Sequence, residues 1–394
     1  MPQIPITVEA SCANHPRLIP GTPLPRQAHT RISLKRLFSL GTLREQDVST
    51  DGRRNYVETR QLWSALHQLY SVYLQFSPQQ LTTNANGETL MKLSEVVGIA
   101  LGVAAMCAQF DININRFRRY QVVGTRTRHV DFEYYSGNQR FFHEAKGTTY
   151  VQRVARLRSD ILDQKTQTRS HIAAQANAIA ITACTGSIAQ YRHTSRLNFP
   201  SQIILVDPPP SDQVEARAAA EADELACVVR YYQNLYSITH RRPQGRKQVG
   251  LDEWLMTVAR GLESGEAAPR SAPENLISRG RLIEPGSSDS LYRGTLFDAR
   301  IARRSVKTYD SFESATESIP NPVTFLGVSE EITELIRNCR WTDLLGYKNR
   351  VLDAVGESDG IDISESGVLT KRLDTAEFND SSKREFLLLK KRLI

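Results

Sequence analysis

Apolar positions along this chain change their period several times, and each change marks an element. Residues 1–30 carry Pro2, Pro5, Pro16, Pro20, Pro23 and Pro25, which predicts an extended Pro-rich arm. Residues 31–88 read as an α-rich region, clearest where Leu62, Leu66, Leu69 and Tyr73 recur at helical spacing. A polar break, SPQQLTTNANGE, closes it. The block 89–240 is the most legible. TLMKLSEVVGIALGVAAMCAQF is apolar on nearly all sides, as a buried helix is. RFRRYQVVG, RHVDFEYY and RFFHEAKGTTY follow as three strands. A basic amphipathic segment, Tyr150 to Arg169, precedes RSHIAAQANAIAITACTG, which predicts a second buried helix. SQIILVD has the unbroken apolar run of a strand covered on both faces, and Pro208-Pro209-Pro210 ends it. Ser211 can then cap a helix to about Tyr236. Residues 241–394 form an α/β accessory region with a basic tail. In it LDEWLMTVARGL is a helix, LYRGTLF and PVTFLGV are strands, and Ser329 starts a helix whose Glu330 and Glu331 suit its N-terminal dipole.

Strand geometry allows one hairpin to be read residue by residue. Gly137-Asn138 makes a good two-residue turn, so Ser136 pairs with Gln139. Asp131 then lies across from Glu144, Glu133 from Phe142, and His129 from Lys146. Residues two apart share a face, which places Asp131, Glu133, Glu144 and Lys146 together. Facing carboxylates repel unless a cation lies between them, so the pairing implies a metal ion. His143 points to the opposite face and is no base for this site.

Charge placement strengthens that reading. The 394 residues are 40% hydrophobic and 24% charged, ordinary values for a soluble globular protein, with a net charge of +7. Between Arg116 and Arg169 twelve Lys and Arg stand against five Asp and Glu, a surplus equal to that of the whole chain. A basic surround of this kind is the footprint of a phosphate-backbone binder, with Arg126, Arg128, Arg153, Arg156 and Arg169 as its contacts. Five widely spaced cysteines lack zinc-knuckle spacing and fit a reducing cytoplasm. The long uncharged runs Val96–Phe110 and Ser170–Tyr191 read as buried helices, so no membrane partner is expected.

A hard divalent cation, Mg²⁺ or Mn²⁺, takes oxygen ligands, and Asp131 and Glu144 supply a carboxylate pair with the Ala145 carbonyl as a third donor. Lys146, one strand step from Glu144, can orient a water or meet charge developing on a phosphate. Glu133 is a supporting acid, and Glu95, near the start of the buried helix, is another that can approach the site. Helix, three strands, helix, strand, with Asp131 on the second strand and Glu144-Ala145-Lys146 on the third, resembles the PD-(D/E)XK nuclease superfamily over roughly Leu90 to Pro210. The resemblance implies a restriction-endonuclease-like core, a mixed central sheet flanked by helices. It also implies metal binding by Asp131 and Glu144, a catalytic role for Lys146, metal binding by Glu95, and assistance from Gln175. Val130 replaces the usual proline, and Ile179 stands where a tyrosine often follows the glutamine. The resulting expectation is a metal-dependent nuclease, a DNA endonuclease of a bacterial defence or restriction-type system, acting as a homodimer or with a partner subunit. The rival is a catalytically inactive nuclease-fold protein that binds nucleic acid or serves as an adaptor subunit.

Overall fold

The computed structural model describes residues 3–8, 29–31, 37, 40, 73–77, 80–110, 112–120, 128–136, 139–175, 179–195, 199–206, 220–239, 248–278, 280–283, 291–297, 323–348 and 361–373. Two compact units divide the chain: residues 1–52, 69–234 and 253–270 form the first, and 53–68, 235–252 and 271–394 the second.

In chain order the first unit has β1 (Gln3–Val8), β2 (His29–Arg31), β3 (Leu74–Ser77), β4 (Gln80–Thr83) and α1 (Gly87–Phe110). There follow β5 (Phe117–Arg119), β6 (Phe132–Tyr135), β7 (Arg140–Thr148), α2 (Val154–Ala173), β8 (Ala183–Gln190), β9 (Arg192–His193) and β10 (Gln202–Val206). Helices α3 (Glu221–Thr239) and α4 (Leu251–Glu263) come next. Seven strands form one mixed sheet in the order β2-β1-β10-β8-β7-β6-β5. Within it β7 runs parallel to β8 and β1 to β10, while the other neighbours are antiparallel.

Alternation along β7 and β8 decides which helix covers which face. A Cβ on Gly102 of α1 would meet Ser187, Ala145 and His143, whereas one on Gly186 would meet Ile161 and Lys165 of α2. Neighbouring residues of a strand point to opposite faces, so α1 and α2 cover opposite sides of the sheet. Contact with α1 is close because two glycines meet: a Cβ on Gly98 would stand 2.5 Å from the Gly147 nitrogen, and one on Gly147 would stand 1.9 Å from the Ser94 carbonyl oxygen. Helix α1 is long and apolar enough to cross a membrane by composition alone, but 72% of its most apolar stretch is buried in the protein.

Several elements differ from the sequence reading. Residues 3–8 are a strand inside the sheet instead of a free arm: Ile4 and Ile6 are buried, and Pro5 is tolerated beside the short edge strand β2. Leu74–Ser77 and Gln80–Thr83 pair as a hairpin where helix and polar break were expected. Alternate burial of Leu81 and Thr83 explains how so polar a run becomes a strand. Leu62, Leu66 and Leu69 lie outside the described residues. The presumed second buried helix is the last turn of α2 followed by β8. A parallel strand buried on both faces has no alternation to betray it, and its Gly186, Ser187 and Ala189 are small because helices press from both sides. Helix α3 starts at Glu221 in the described range, and Ser211 lies outside it. The first unit takes in residues 253–270 beyond the expected boundary near 240, and there Glu263 at the end of α4 pairs with Arg118 at 2.9 Å and Arg230 at 2.8 Å.

The second unit contains β11 (Val249–Gly250), β12 (Leu276–Ile277), β13 (Arg281–Ile283), β14 (Tyr292–Phe297) and β15 (Val323–Ser329). After them come α5 (Glu330–Arg337), α6 (Trp341–Leu345), β16 (Ile361–Ile363) and β17 (Val368–Leu373). Strands β13-β14-β15-β17-β16 make an antiparallel sheet. Ser329 caps α5 as expected, its hydroxyl accepting from the Glu331 N–H at 3.2 Å. The basic tail after residue 373 lies outside the described residues.

Candidate functional site

Pairing between β6 and β7 follows the expected register: Phe132 faces His143, Glu133 faces Phe142, and Tyr135 faces Arg140. Ser136 N–H donates to the Gln139 carbonyl at 3.1 Å, closing the hairpin one rung nearer its tip. Just before β6 the chain bends, and side chains replace the backbone ladder. The Asp131 N–H donates to Glu144 Oε2 at 2.8 Å, and the Ala145 N–H donates to Asp131 Oδ2 at 3.3 Å. The two acids are thus locked across the strands by reciprocal bonds. Lys146 pairs with Glu144 Oε1. Asp131, Glu144 and Lys146 therefore meet, as their spacing predicted.

Burial sets the electrostatics of this trio. Glu144 is fully buried, and desolvation first, then the Asp131 charge, push its carboxyl well above the usual range against the pull of Lys146. Desolvation likewise raises the Asp131 carboxyl, opposed by Lys146, the Ala145 N–H and Arg119, while Glu95 adds to the rise. The Lys146 ammonium is held above its ordinary value by Glu144 and Asp131, which outweigh its own desolvation, with Asp160 adding to the rise. Glu95 is an exposed residue of α1, one position after the Ser94 carbonyl that closes on Gly147. Asp160 was missed as a site residue. Its signal is its place as the first acid in the basic segment after β7, which forms α2 over the site's face.

Glu133 has another task. Its Oε2 accepts from Arg140 Nε at 2.8 Å and pairs with Arg140 Nη2 at 2.7 Å, while Oε1 pairs with Arg118. Both oxygens are committed to guanidinium groups. These two cations outweigh burial and hold its carboxyl below the ordinary value. It shares the site's face by parity and serves there as the buried centre of an ion network. Arg116 also turns to an acid, Glu224, at 2.7 Å. Buried Lys165 donates to the Val206 carbonyl at 3.1 Å. Part of the basic surplus is therefore internal, which counting charges along the sequence cannot reveal. Arg128, Arg153 and Arg156 are exposed, Arg169 is half-buried, and Arg126 lies outside the described residues.

The remaining candidates separate from the trio. His143 faces α1, with Nδ1 bonded to Thr185 Oγ1 at 2.9 Å and Nε2 to Ser187 Oγ at 3.0 Å, and burial pushes its pKa down to about 3. The β6–β7 ladder begins at Phe132, so His129 lies outside it and is not paired with Lys146. Its ring lies 5.0 Å from that of His171. His171 is in the last turn of α2 instead of at a helix start, and Gln175 follows the helix with its amide nitrogen 3.1 Å from His171 Nε2. Gln175 is thus brought to the histidines and makes no bond to the carboxylates.

Two adjacent carboxylates, one wholly buried and both pushed toward the protonated state, suit a hard divalent cation, which would relieve their mutual repulsion. Among the described residues no three His, Cys, Asp or Glu side chains converge as a ready ligand cage. Such a site would be completed by water and substrate oxygens, the usual state of affairs for Mg²⁺. A separate cavity of about 430 Å³ in the second unit is lined by Glu331, Glu334, Arg340 and Tyr347. Its charged groups are engaged nearby: Glu331 accepts from Tyr347, Glu334 pairs with Arg337, and Arg340 with Asp343. No protein-family model, curated protein or solved structure matches the chain.

Proposed function

We propose that the chain is a metal-dependent nuclease hydrolysing phosphodiester bonds, with DNA as its substrate and a restriction-type or defence role as its setting. The observation carrying this reading is the reciprocal locking of Asp131 and Glu144 beside Lys146, a charged trio gathered on the face of β7 that α2 covers. The order α1, β5, β6, β7, α2, β8 supports it, because it has the succession helix, three strands, helix, strand on which the resemblance to the PD-(D/E)XK superfamily rests. The exposed Arg153 and Arg156 at the start of α2 add positive charge on the same side of the sheet.

Asp131 and Glu144 would hold Mg²⁺ or Mn²⁺, with Glu95 close enough for its charge to be felt at Asp131. When bound, such an ion polarises the phosphate and lowers the pKa of a coordinated water. Lys146 stays protonated between the two acids, so its role is to place positive charge where the phosphate gains negative charge. The bonds from Asp131 N–H and Ala145 N–H hold both carboxylates in position before substrate arrives.

Cleavage of plasmid and single-stranded DNA in Mg²⁺ or Mn²⁺, comparing wild type with Asp131→Ala and Lys146→Ala, tests the proposal. Cleavage by wild type and its loss in both variants is expected. Intact substrates with all three proteins, or equal cleavage by all three, would replace it with the binding or adaptor reading.

A further inference from the structure

Among the described residues, three buried polar atoms near the start of β6 find no hydrogen-bond partner: both ring nitrogens of His129 and the hydroxyl of Tyr120. A neutral imidazole has one N–H and one lone pair, and leaving both hidden from water and protein is costly. Such a cluster calls for a bound species. Around it stand His171, whose ring centroid is 5.0 Å from that of His129 with the planes tilted by 54°, and Gln175, whose amide end is 3.1 Å from His171 Nε2.

We propose that His129, His171 and Gln175 form a second metal site, for a borderline transition ion such as Zn²⁺, with a ligand set distinct from the Asp131–Glu144 pair. Two imidazoles bound at about 2.0 Å in a tetrahedron have ring centroids roughly 5 Å apart, and any two ligand atoms of that tetrahedron are about 3.3 Å apart. Both spacings in the protein match. Turning the Gln175 amide over presents its oxygen in place of its nitrogen, an exchange that costs no movement of the chain. Two neutral imidazoles select Zn²⁺, Ni²⁺ or Cu²⁺ over Mg²⁺, whose ligands are hard oxygens. Gln175 is exposed and His171 half-buried, so the ion has a route in from solvent. The ion would fasten the end of α2 to the segment leading into β6.

Co²⁺ substitution of the metal-free full chain reads the site directly, through the visible absorption of a tetrahedral ion. The Asp131→Asn/Glu144→Gln double variant serves as background, so the result does not depend on whether the chain cleaves DNA. One equivalent of Co²⁺ displaced by Zn²⁺ is expected, with affinity falling at least about tenfold in His171→Ala and in His129→Ala. Far-UV circular dichroism of the metal-free proteins shows whether each variant folds, and half-buried His171 decides the matter if His129→Ala does not. Absence of the absorption, or an affinity unchanged by His171→Ala, overturns the proposal.

Discussion

Asp131 and Glu144 are joined backbone to side chain in both directions: the Asp131 N–H donates to Glu144 Oε2 at 2.8 Å, and Asp131 Oδ2 accepts from the residue after Glu144 at 3.3 Å. Each acid holds the other's strand, so their proximity is built into the backbone and does not depend on a bound cation.

That proximity is costly without a cation. The folded Glu144 carboxyl titrates above its unfolded value, so its contribution to stability is full below about pH 4 and is lost as pH rises through the folded pKa. Glu144→Gln keeps the acceptor for the Asp131 N–H and removes the charge. In metal-free protein at neutral pH it should raise the melting temperature by about 2–4 °C, the equivalent of roughly 1 kcal/mol. The gain should vanish near pH 4, and thermal melts at the two pH values check it.

Glu133 should behave in the opposite way. Its folded pKa is depressed, so the stability it contributes is present above the ordinary carboxylate range and lost as pH falls through the folded value. Glu133→Gln takes the carboxylate from buried Arg140 and leaves Arg118 with Glu263 alone, and should cost about 3–5 kcal/mol at neutral pH in urea denaturation. The deficit should narrow in acid, where wild type loses the same interaction.

Gly147 cannot accept a methyl group. An added Cβ would lie 1.9 Å from the Ser94 carbonyl oxygen, a backbone atom fixed in α1. Gly147→Ala should destabilise by about 1–3 kcal/mol and lower cleavage, because the displaced backbone adjoins Lys146. Gly346→Ala, whose nearest neighbour is 3.5 Å away, is the control and should stay within about 0.5 kcal/mol of wild type.

If the arginines at the start of α2 meet a phosphate backbone, Arg156→Ala should weaken DNA binding about equally across sequences. The slope of log affinity against log salt should fall by about 1, measured by fluorescence anisotropy at several salt concentrations.

The hairpin was the most legible part of the sequence because a two-residue turn and a period of two leave one register, and every rung from Phe132 to Tyr135 follows it. What parity could not foretell was the partner: Glu133 shares the face of Asp131, but Arg118 and Arg140 reach it first. Segment Ser170–Tyr191 misled for another reason. Its alanines, isoleucines and threonines suit a helix and a doubly covered strand equally, and no charge marks where α2 stops. Strand β1 was hidden by its prolines, since nothing local announces that Ile4 and Ile6 pack into a sheet whose next strand is β10.

Strand β1 also has a consequence for how the protein is made. Ile6 pairs with Ile203, so this edge of the sheet can close only after nearly two hundred intervening residues have emerged from the ribosome. Until then residues 3–8 wait without their parallel neighbour, and β10 arrives to find its pairing edge open. Loop-closure entropy for a span of that length is paid late, which leaves the β1–β10 seam as an edge in need of protection during synthesis.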